Sequence, residues 1–403
     1  MILTNKQELG LKIAVQRYLD GEKFTVISGY AGSGKSTLVK YIIAALSSHG
    51  VDPNMDVGFC AYTGKAAEVL RQKGNPNCKT AHKLLYKTIP TNDGRFIHMP
   101  VDEIESKVVV VDECSMLPLE MADLLLSYNV YVIFCGDPGQ LPPIDKSQNN
   151  HLLDKPHVFL DEIMRQAQES GIIRLSMMIR NGEDFSNFDA PDVKILPKSA
   201  LNEGMLTWAD QILCATNNTR NTINQTCRKI YGYEGIIEPG EKLIALKNDW
   251  DRMSDIGGFL TNGCIGTLED VEEHKMYIPR YFNFMKLPFR QVPYITGNFV
   301  TDFGDNFGVL PCDTQCITTG EPALTSLMKY KFNRSKAHFP GYVDLEELTY
   351  GYCITVWKYQ GSEAPKILGI EEDHPFDKKE HTQYLYTMAT RATDKLVMIR
   401  KDD

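Results

Sequence analysis

The segment GYAGSGKST, residues 29–37, fits the pattern GxxxxGK[ST] and lies between a short apolar run, FTVIS, and a helical pattern that begins at Lys35. Strand, glycine-rich turn and helix in that order describe a phosphate cradle. Small residues let consecutive backbone N–H groups close on phosphate oxygens at the start of a helix. Gly29, Gly32, Ser33, Gly34, Lys35, Ser36 and Thr37 form the expected contact set. Lys35 is placed to hold the β and γ phosphates of ATP, and Ser36 to offer its hydroxyl to Mg²⁺.

From Phe24 onward, β-rich apolar runs (FTVIS, DVGFCA, VVVV, VYVIFC) alternate with helical patterns, which is the rhythm of a parallel sheet with crossover helices. The rhythm stops between Leu85 and Ser106. There KTIPTNDGRFIH sets Asp93-Gly94 between two extended pieces and reads as a β-hairpin. After a helix over GIIRLSMMIRNG and a linker from Pro191 to Pro197, QILCAT opens a second α/β domain. Residues 253–342 carry many aromatics, glycines and prolines with little helical period, and read as a small inserted β-barrel. YGYCITV, a helix after Trp357 and the strand KLVMI then resume the α/β pattern.

Ligands of such sheets sit at the carboxyl ends of the strands, and the polar residues collect there. VVVVDEC ends a very apolar strand on Asp112 and Glu113, where ionised carboxylates are costly unless they serve a cation or a water. Asp112 is the expected partner of Mg²⁺, and Glu113 is placed to orient and deprotonate the attacking water. A neighbouring strand ends on Gly136-Asp137 before PGQLPP, which brings Gln140 to the same edge as a sensor of the γ phosphate.

A formal net charge of −9 restricts any nucleic-acid contact to a local positive track. The ten cysteines show no paired spacing, and Cys312 and Cys316 have no companion pair, so reduced thiols and an intracellular compartment are expected. The N-terminal stretch has no leader-like pattern, and no apolar run approaches the ~20 residues of a membrane span. A soluble protein with no membrane partner is the expectation.

The phosphate loop, DEC at residues 112–114 and GDPGQLPP at 136–143, in this order, resemble motifs I, II and III of superfamily 1 helicases. YGYCITVWKYQGSE (350–363) is similar to motif V, YLYTMATRATDKL (384–396) to motif VI, and LTNKQ to the adenine-reading Q motif. The KxQGSE and ATRA forms resemble the RecD/Dda side of the family, superfamily 1B. The match runs from Leu3 to Ile399.

The resemblance implies an α/β fold of two RecA-like P-loop domains, with a β-hairpin insertion in the first and an SH3-like β-barrel insertion in the second. Residues 1–84 and 107–190 are then motor domain 1A, 85–106 insertion 1B, 191–252 and 343–403 motor domain 2A, and 253–342 insertion 2B. It also implies an ATP-dependent DNA helicase that moves 5′→3′ on single-stranded DNA and acts at duplex junctions in replication, recombination or repair. The expected setting is a monomer in the cytoplasm of a bacterial cell or phage-infected host, alongside replication or single-strand-binding proteins.

By the same resemblance, Gln7 reads adenine, and Gly361 and Glu363 join the nucleotide contacts. Arg391 and Arg165 bring positive charge to the γ phosphate, an effect worth ~10³ to 10⁵ in rate where an arginine supplies it. Thr63, Lys65, Thr80, His82, Thr355 and Lys358 are carried over as strand contacts. Trp357 stands where many relatives have His, and its indole suits stacking on a base rather than proton donation.

Other classes stay open on the motifs alone. A P-loop kinase shares the phosphate loop and the Asp-Glu pair but has no use for motifs V and VI on a second α/β unit. An ATP-gated strand-binding or annealing factor, or a RecD-like motor subunit of a nuclease complex, keeps every motif. The chain shows no nuclease-like carboxylate cluster of its own.

Overall fold

Two strands of the first third of the chain, VVVVD and YVIFCG, have no polar face and must be covered on both sides. The computed structural model describes residues 3–401 apart from residues 76, 91–95, 144–145, 165–167, 256–258, 283–284, 303, 326–327, 330–340 and 373–376. It sets these two strands at the centre of a six-stranded parallel sheet.

In chain order this part runs α1 (Asn5–Leu19), β1 (Phe24–Gly29), α2 (Lys35–Ser47), β2 (Val57–Ala61), α3 (Gly64–Gln72), β3 (Lys79–Thr80), α4 (Ala81–Leu85), β4 (Tyr86–Pro90) and β5 (Phe96–Pro100). Then come β6 (Val108–Asp112), α5 (Leu119–Ser127), β7 (Tyr131–Gly136), β8 (Val158–Leu160) and α6 (Gly171–Asn181). The sheet order is β3-β2-β6-β7-β1-β8. Leu38, Ile42 and Leu46 of α2 pack with Val108, Val110 and Ile133 on one face. Met121 and Leu125 of α5 pack with Val109, Val132 and Phe134 on the other. The strands β4 and β5 pair with each other as a separate two-stranded sheet. The Asp93-Gly94 turn expected between them falls outside the described residues.

The chain continues through β9 (Asp189–Ala190), β10 (Val193–Pro197), α7 (Glu203–Trp208), β11 (Gln211–Cys214) and α8 (Asn217–Tyr231). Next are β12 (Lys242–Ala245), β13 (Asp249–Met253), β14 (Phe259–Leu260), β15 (Ile265–Phe282), β16 (Met285–Thr301), β17 (Asn306–Asp313) and α9 (Thr314–Thr319). It ends with β18 (Leu348–Tyr350), β19 (Cys353–Thr355), β20 (Ala364–Ile370), α10 (Lys378–Ala389) and β21 (Ala392–Arg400).

A second six-stranded sheet has the order β19-β11-β20-β21-β10-β9, with β10, β21, β20 and β11 parallel. Residues 191–197 are expected to be a linker and are largely a strand. Val193–Pro197 pairs in parallel with residues 396–400, and Pro197 stands last in β10. That pairing comes from the far end of the chain, so no local pattern announces it. YGYCITV also divides: Leu348–Tyr350 belongs to a third sheet and Cys353–Thr355 to the second. The helix expected after Trp357 is a four-residue 3₁₀ turn, Val356–Tyr359. Gln360 leaves helical geometry there, and Gly361 turns left-handed at φ +72°.

Contact density divides the chain into two compact units. One comprises Met1–Lys87, Pro100–Thr216 and Thr355–Asp403, and the other Thr88–Met99 and Asn217–Ile354. The second unit is built on an antiparallel sheet of order β17-β16-β15-β12-β18, in which β15 and β16 form a long ladder. Since β12 and β18 lie outside residues 253–342, this sheet reaches past the expected insertion on both sides. Its core includes Leu243, Leu268, Phe299, Leu310 and Leu348.

None of the ten cysteines is joined in a disulfide among the described residues, and all but Cys264 are buried. Among the described residues no helix is long and apolar enough to cross a membrane.

Within the second unit, Arg228 of α8 meets Glu241 at 2.5 Å, and the two side chains are 8% and 0% exposed. Glu241 also accepts the Glu238 amide N–H at 3.0 Å, and the guanidinium lies over the Tyr350 ring at 4.5 Å. Removing one partner strands the other charge in an apolar setting. Glu241→Ala should therefore lower unfolding stability by about 3–5 kcal/mol in a denaturant titration, and Glu241→Gln by less. Equal stabilities of Glu241→Ala and the parent chain would show that the pair is not buried as described.

Candidate nucleotide site

The phosphate loop joins β1 to α2 and is shaped at two glycines of positive φ, Gly32 at +75° and Gly34 at +81°. Gly34 is the N-cap of α2 and offers no side-chain cap. The first amides of that helix are thereby left to a ligand, as an anion site requires. The Lys35 ammonium rests on the carbonyls of Gly29 and Tyr30 at 2.7 and 3.1 Å. The hydroxyls of Ser28 and Ser33 are buried with no hydrogen-bond partner among the described residues.

Gln7 supports the loop from α1. Its side chain closes a capping box with Thr4, accepting the Thr4 amide at 3.0 Å. Its amide nitrogen reaches the Ser33 and Gly34 carbonyls at 3.4 and 3.5 Å and lies 3.7 Å from the Met164 sulfur. The side chain is almost fully buried.

At the carboxyl end of β6, Asp112 shares a small cavity of about 50 Å³ with Ser36. Loss of solvent and the neighbouring Glu113 charge push the Asp112 carboxyl up to about 6, against the pull of Lys35. Among the described residues Glu113 is one of three non-glycine residues of positive φ, at +51°, and its amide donates to Asp112 Oδ1 at 3.0 Å. Such a conformation costs on the order of 1–3 kcal/mol and persists only where the surroundings enforce it.

Gln140 faces Glu113 from the turn after β7. With its amide oriented to satisfy both neighbours, it donates to Glu113 Oε2 at 3.2 Å and accepts from Arg391 Nη2 at 3.2 Å. Arg391, which follows α10, is held by the carbonyls of Thr387 and Ser362 at 3.1 and 3.2 Å and is 6% exposed. A residue of the second sheet's motif VI segment thus stands against the motif II and III segments of the first. Lys35, Asp112, Glu113, Gln140 and Arg391 gather here, while Arg165 lies outside the described residues.

Gly361 and Glu363, on either side of Ser362, stand beside α3. A Cβ on Gly361 would come within 2.7 Å of Ala66, and Glu363 pairs with Lys73 at 2.9 Å. Thr63 and Thr80 accept the amides of Ala66 and Lys83 as N-caps of α3 and α4. The Lys65 ammonium lies 4.7 Å from the Tyr359 ring centre, and the His82 ring centre lies 6.1 Å from that of Tyr62 and 6.0 Å from that of Tyr86. Thr355 is buried, Lys358 is half-buried, and Trp357 is half-buried with its ring 6.2 Å from that of Tyr384.

Two residues near the loop were not singled out by sequence. Arg180 of α6 stacks its guanidinium on the Tyr30 ring at 3.6 Å, and its Nη1 is buried without a hydrogen-bond partner among the described residues. Tyr386 lies inside the motif VI segment, yet its hydroxyl contacts Ala31 of the loop and Asp137. A buried tyrosine needs a partner, but only the fold says which one.

Residues 9–192 match the AAA domain family, and residues 350–399 the UvrD-like helicase C-terminal domain. The ATP-dependent RecD2 DNA helicase of Deinococcus radiodurans is 32% identical over 94% of this chain and 47% of its own length. The ATP-dependent DNA helicase dda of Enterobacteria phage T4 is 27% identical over 45% of the chain and 43% of its own length. The chain therefore spans less than half of either relative. Among solved structures, Bacteroides Pif1 bound to ssDNA covers 99% of this chain and 92% of its own at a TM-score of 0.52 and 18% identity, a likeness of fold.

The loop geometry carries a stability consequence. A Cβ at Gly34 would clash with Gln7 Nε2, and the backbone there is left-handed. Gly34→Ala should cost about 1–2 kcal/mol, read as a lowered Tm, from the backbone conformation alone. Adding Gln7→Ala should relieve the clash but not the backbone term. A Gly34→Ala chain that melts with the parent would refute the loop conformation.

Proposed function

We propose that this chain, which belongs to the superfamily 1B helicases on the RecD/Dda side of the family, is an ATP-driven motor that moves 5′→3′ on single-stranded DNA and unwinds duplex. One observation carries the reading: Gln140 bridges Glu113 of the first sheet and Arg391 of the second. A hydrolytic carboxylate and a cationic group from a separate sheet are joined through one amide, so hydrolysis can depend on how the two sheets stand.

The residues at the loop suit a nucleotide triphosphate. Uncapped α2 amides and a lysine resting on its own loop carbonyls are donors suited to an anion. Ser36 and Asp112 would hold Mg²⁺, and an Asp112 carboxyl pushed up by burial suits a partner that restores its charge. The cation supplies charge neutralisation of the phosphates when bound. Glu113 orients and deprotonates the water, held in place by Gln140, while Lys35 and Arg391 oppose negative charge on the phosphates.

The strand track is assigned to Thr63, Lys65, Thr80, His82, Thr355, Trp357 and Lys358. Thr63 and Thr80 cap α3 and α4, and helix starts of this kind suit backbone phosphates that are held without base readout. Trp357, half-buried with its ring 6.2 Å from that of Tyr384, is assigned to stack on a base. In this reading β4–β5 is the 1B hairpin, and the antiparallel sheet of the second unit carries the SH3-like 2B insertion. Single-stranded DNA, duplex junctions and replication or single-strand-binding proteins are the partners.

The test is an unwinding assay on duplexes with a 5′ or a 3′ single-stranded tail, run with ATP and Mg²⁺ beside a Lys35→Ala control. The 5′-tailed duplex should open and the 3′-tailed one should not. Single-stranded DNA should stimulate ATP hydrolysis, and Lys35→Ala should lose hydrolysis while keeping nucleotide-free strand binding. Opening from the 3′ tail alone would reverse the polarity, and hydrolysis indifferent to DNA would remove the motor reading.

A further inference from the structure

Tyr386 projects from α10, yet its hydroxyl is committed to the first sheet. Oη accepts the Ala31 amide N–H of the phosphate loop at 2.9 Å and donates to Asp137 Oδ2 at 2.7 Å. The tyrosine and Asp137 are each 1% exposed. The direction of these bonds is forced: an amide can only donate and an ionised carboxylate only accept, so a hydroxyl is the group that satisfies both at once.

The surroundings are cut to admit the ring. A Cβ on Gly139 would meet Tyr386 Cε1 at 2.9 Å, so glycine in this turn leaves the space the ring fills. Gly139 also donates its amide to Asp137 Oδ1 at 2.8 Å, which fixes the carboxylate from its other side. On the same helix, Thr387 accepts the Leu141 amide at 2.9 Å, and Gln383 donates to the Gln140 carbonyl at 3.0 Å. Positions 383, 386 and 387 are spaced by three and four, so one face of α10 holds the whole turn. Arg391 follows two residues after that helix and takes one of its bonds from Thr387.

We propose that Tyr386 is a positioning residue of the ATPase site, whose hydroxyl ties the phosphate loop and the turn after β7 to the helix that precedes Arg391. The guanidinium then meets Gln140 and Glu113 because loop, turn and helix are locked by one buried group. This rests on the motor reading above as far as catalysis is concerned, while the lock itself is a set of hydrogen bonds within the chain.

Tyr386→Phe keeps the ring and removes the hydroxyl. In nucleotide-free protein, amide hydrogen exchange should quicken about tenfold or more in peptides covering Ala31 and in those covering residues 137–140, with β2 and β6 unchanged. In steady-state assays with saturating single-stranded DNA, kcat for ATP should fall about 10- to 100-fold while affinity for a fluorescent ATP analogue stays within about threefold. Asp137→Asn keeps an acceptor for the hydroxyl, and its combination with Tyr386→Phe should be no worse than the poorer single variant.

Unchanged exchange at Ala31 and residues 137–140 would overturn the lock. Faster exchange with kcat at the parent value would overturn the positioning role. Loss of nucleotide affinity together with a lowered Tm would reduce Tyr386 to a packing residue. If the parent chain itself shows no DNA-stimulated hydrolysis, the motor reading fails, and the exchange measurement still decides the lock.

Discussion

Leu141 gives its amide N–H to Thr387 at 2.9 Å and takes the Gln360 side-chain amide on its carbonyl at 2.8 Å, so both backbone polar groups of this buried residue are satisfied from the second sheet's part of the chain. Buried backbone groups left unpaired cost about 1–3 kcal/mol each, and the turn after β7 has no sheet ladder of its own to supply partners. Its neighbours repeat the pattern. Gln383 donates to the Gln140 carbonyl, and Tyr386 to Asp137. The turn carrying Gln140 is thereby held by residues far along the chain, and the Glu113–Gln140–Arg391 contact follows from that attachment.

Charge and strain collect at the same place. Asp112 and Asp137 are both pushed upward by burial, and Lys35 pulls each of them down. With Glu113 beside them, three carboxylates share the neighbourhood of a single loop lysine, an arrangement that favours the arrival of further positive charge. Glu113 is kept in a left-handed conformation with its amide on Asp112.

The first sheet and the phosphate loop were legible because their signals are local. Four valines running into Asp112, and small residues between strand and helix, reveal themselves within about ten positions. The order of motifs carried the family, and with it Arg391 and Gln7, whose placements no period or propensity encodes. Other features were hidden by sequence distance. Val193–Pro197 is a strand because residues 396–400 pair with it, and YGYCITV serves two sheets because β12 recruits its first half. Within the site, Tyr386 and Arg180 looked like ordinary helix residues, since what distinguishes them is a partner in the loop.

Whether one nucleotide site is built from both parallel sheets is read most directly from Arg391→Ala, by measuring ATP hydrolysis under saturating single-stranded DNA together with the affinity for a non-hydrolysable ATP analogue. A guanidinium that meets Gln140 and stabilises the reacting phosphate predicts a fall of about 10³-fold or more in kcat, with affinity little changed. Hydrolysis at the parent rate in a folded Arg391→Ala chain would contradict a shared site and leave the first sheet to act alone.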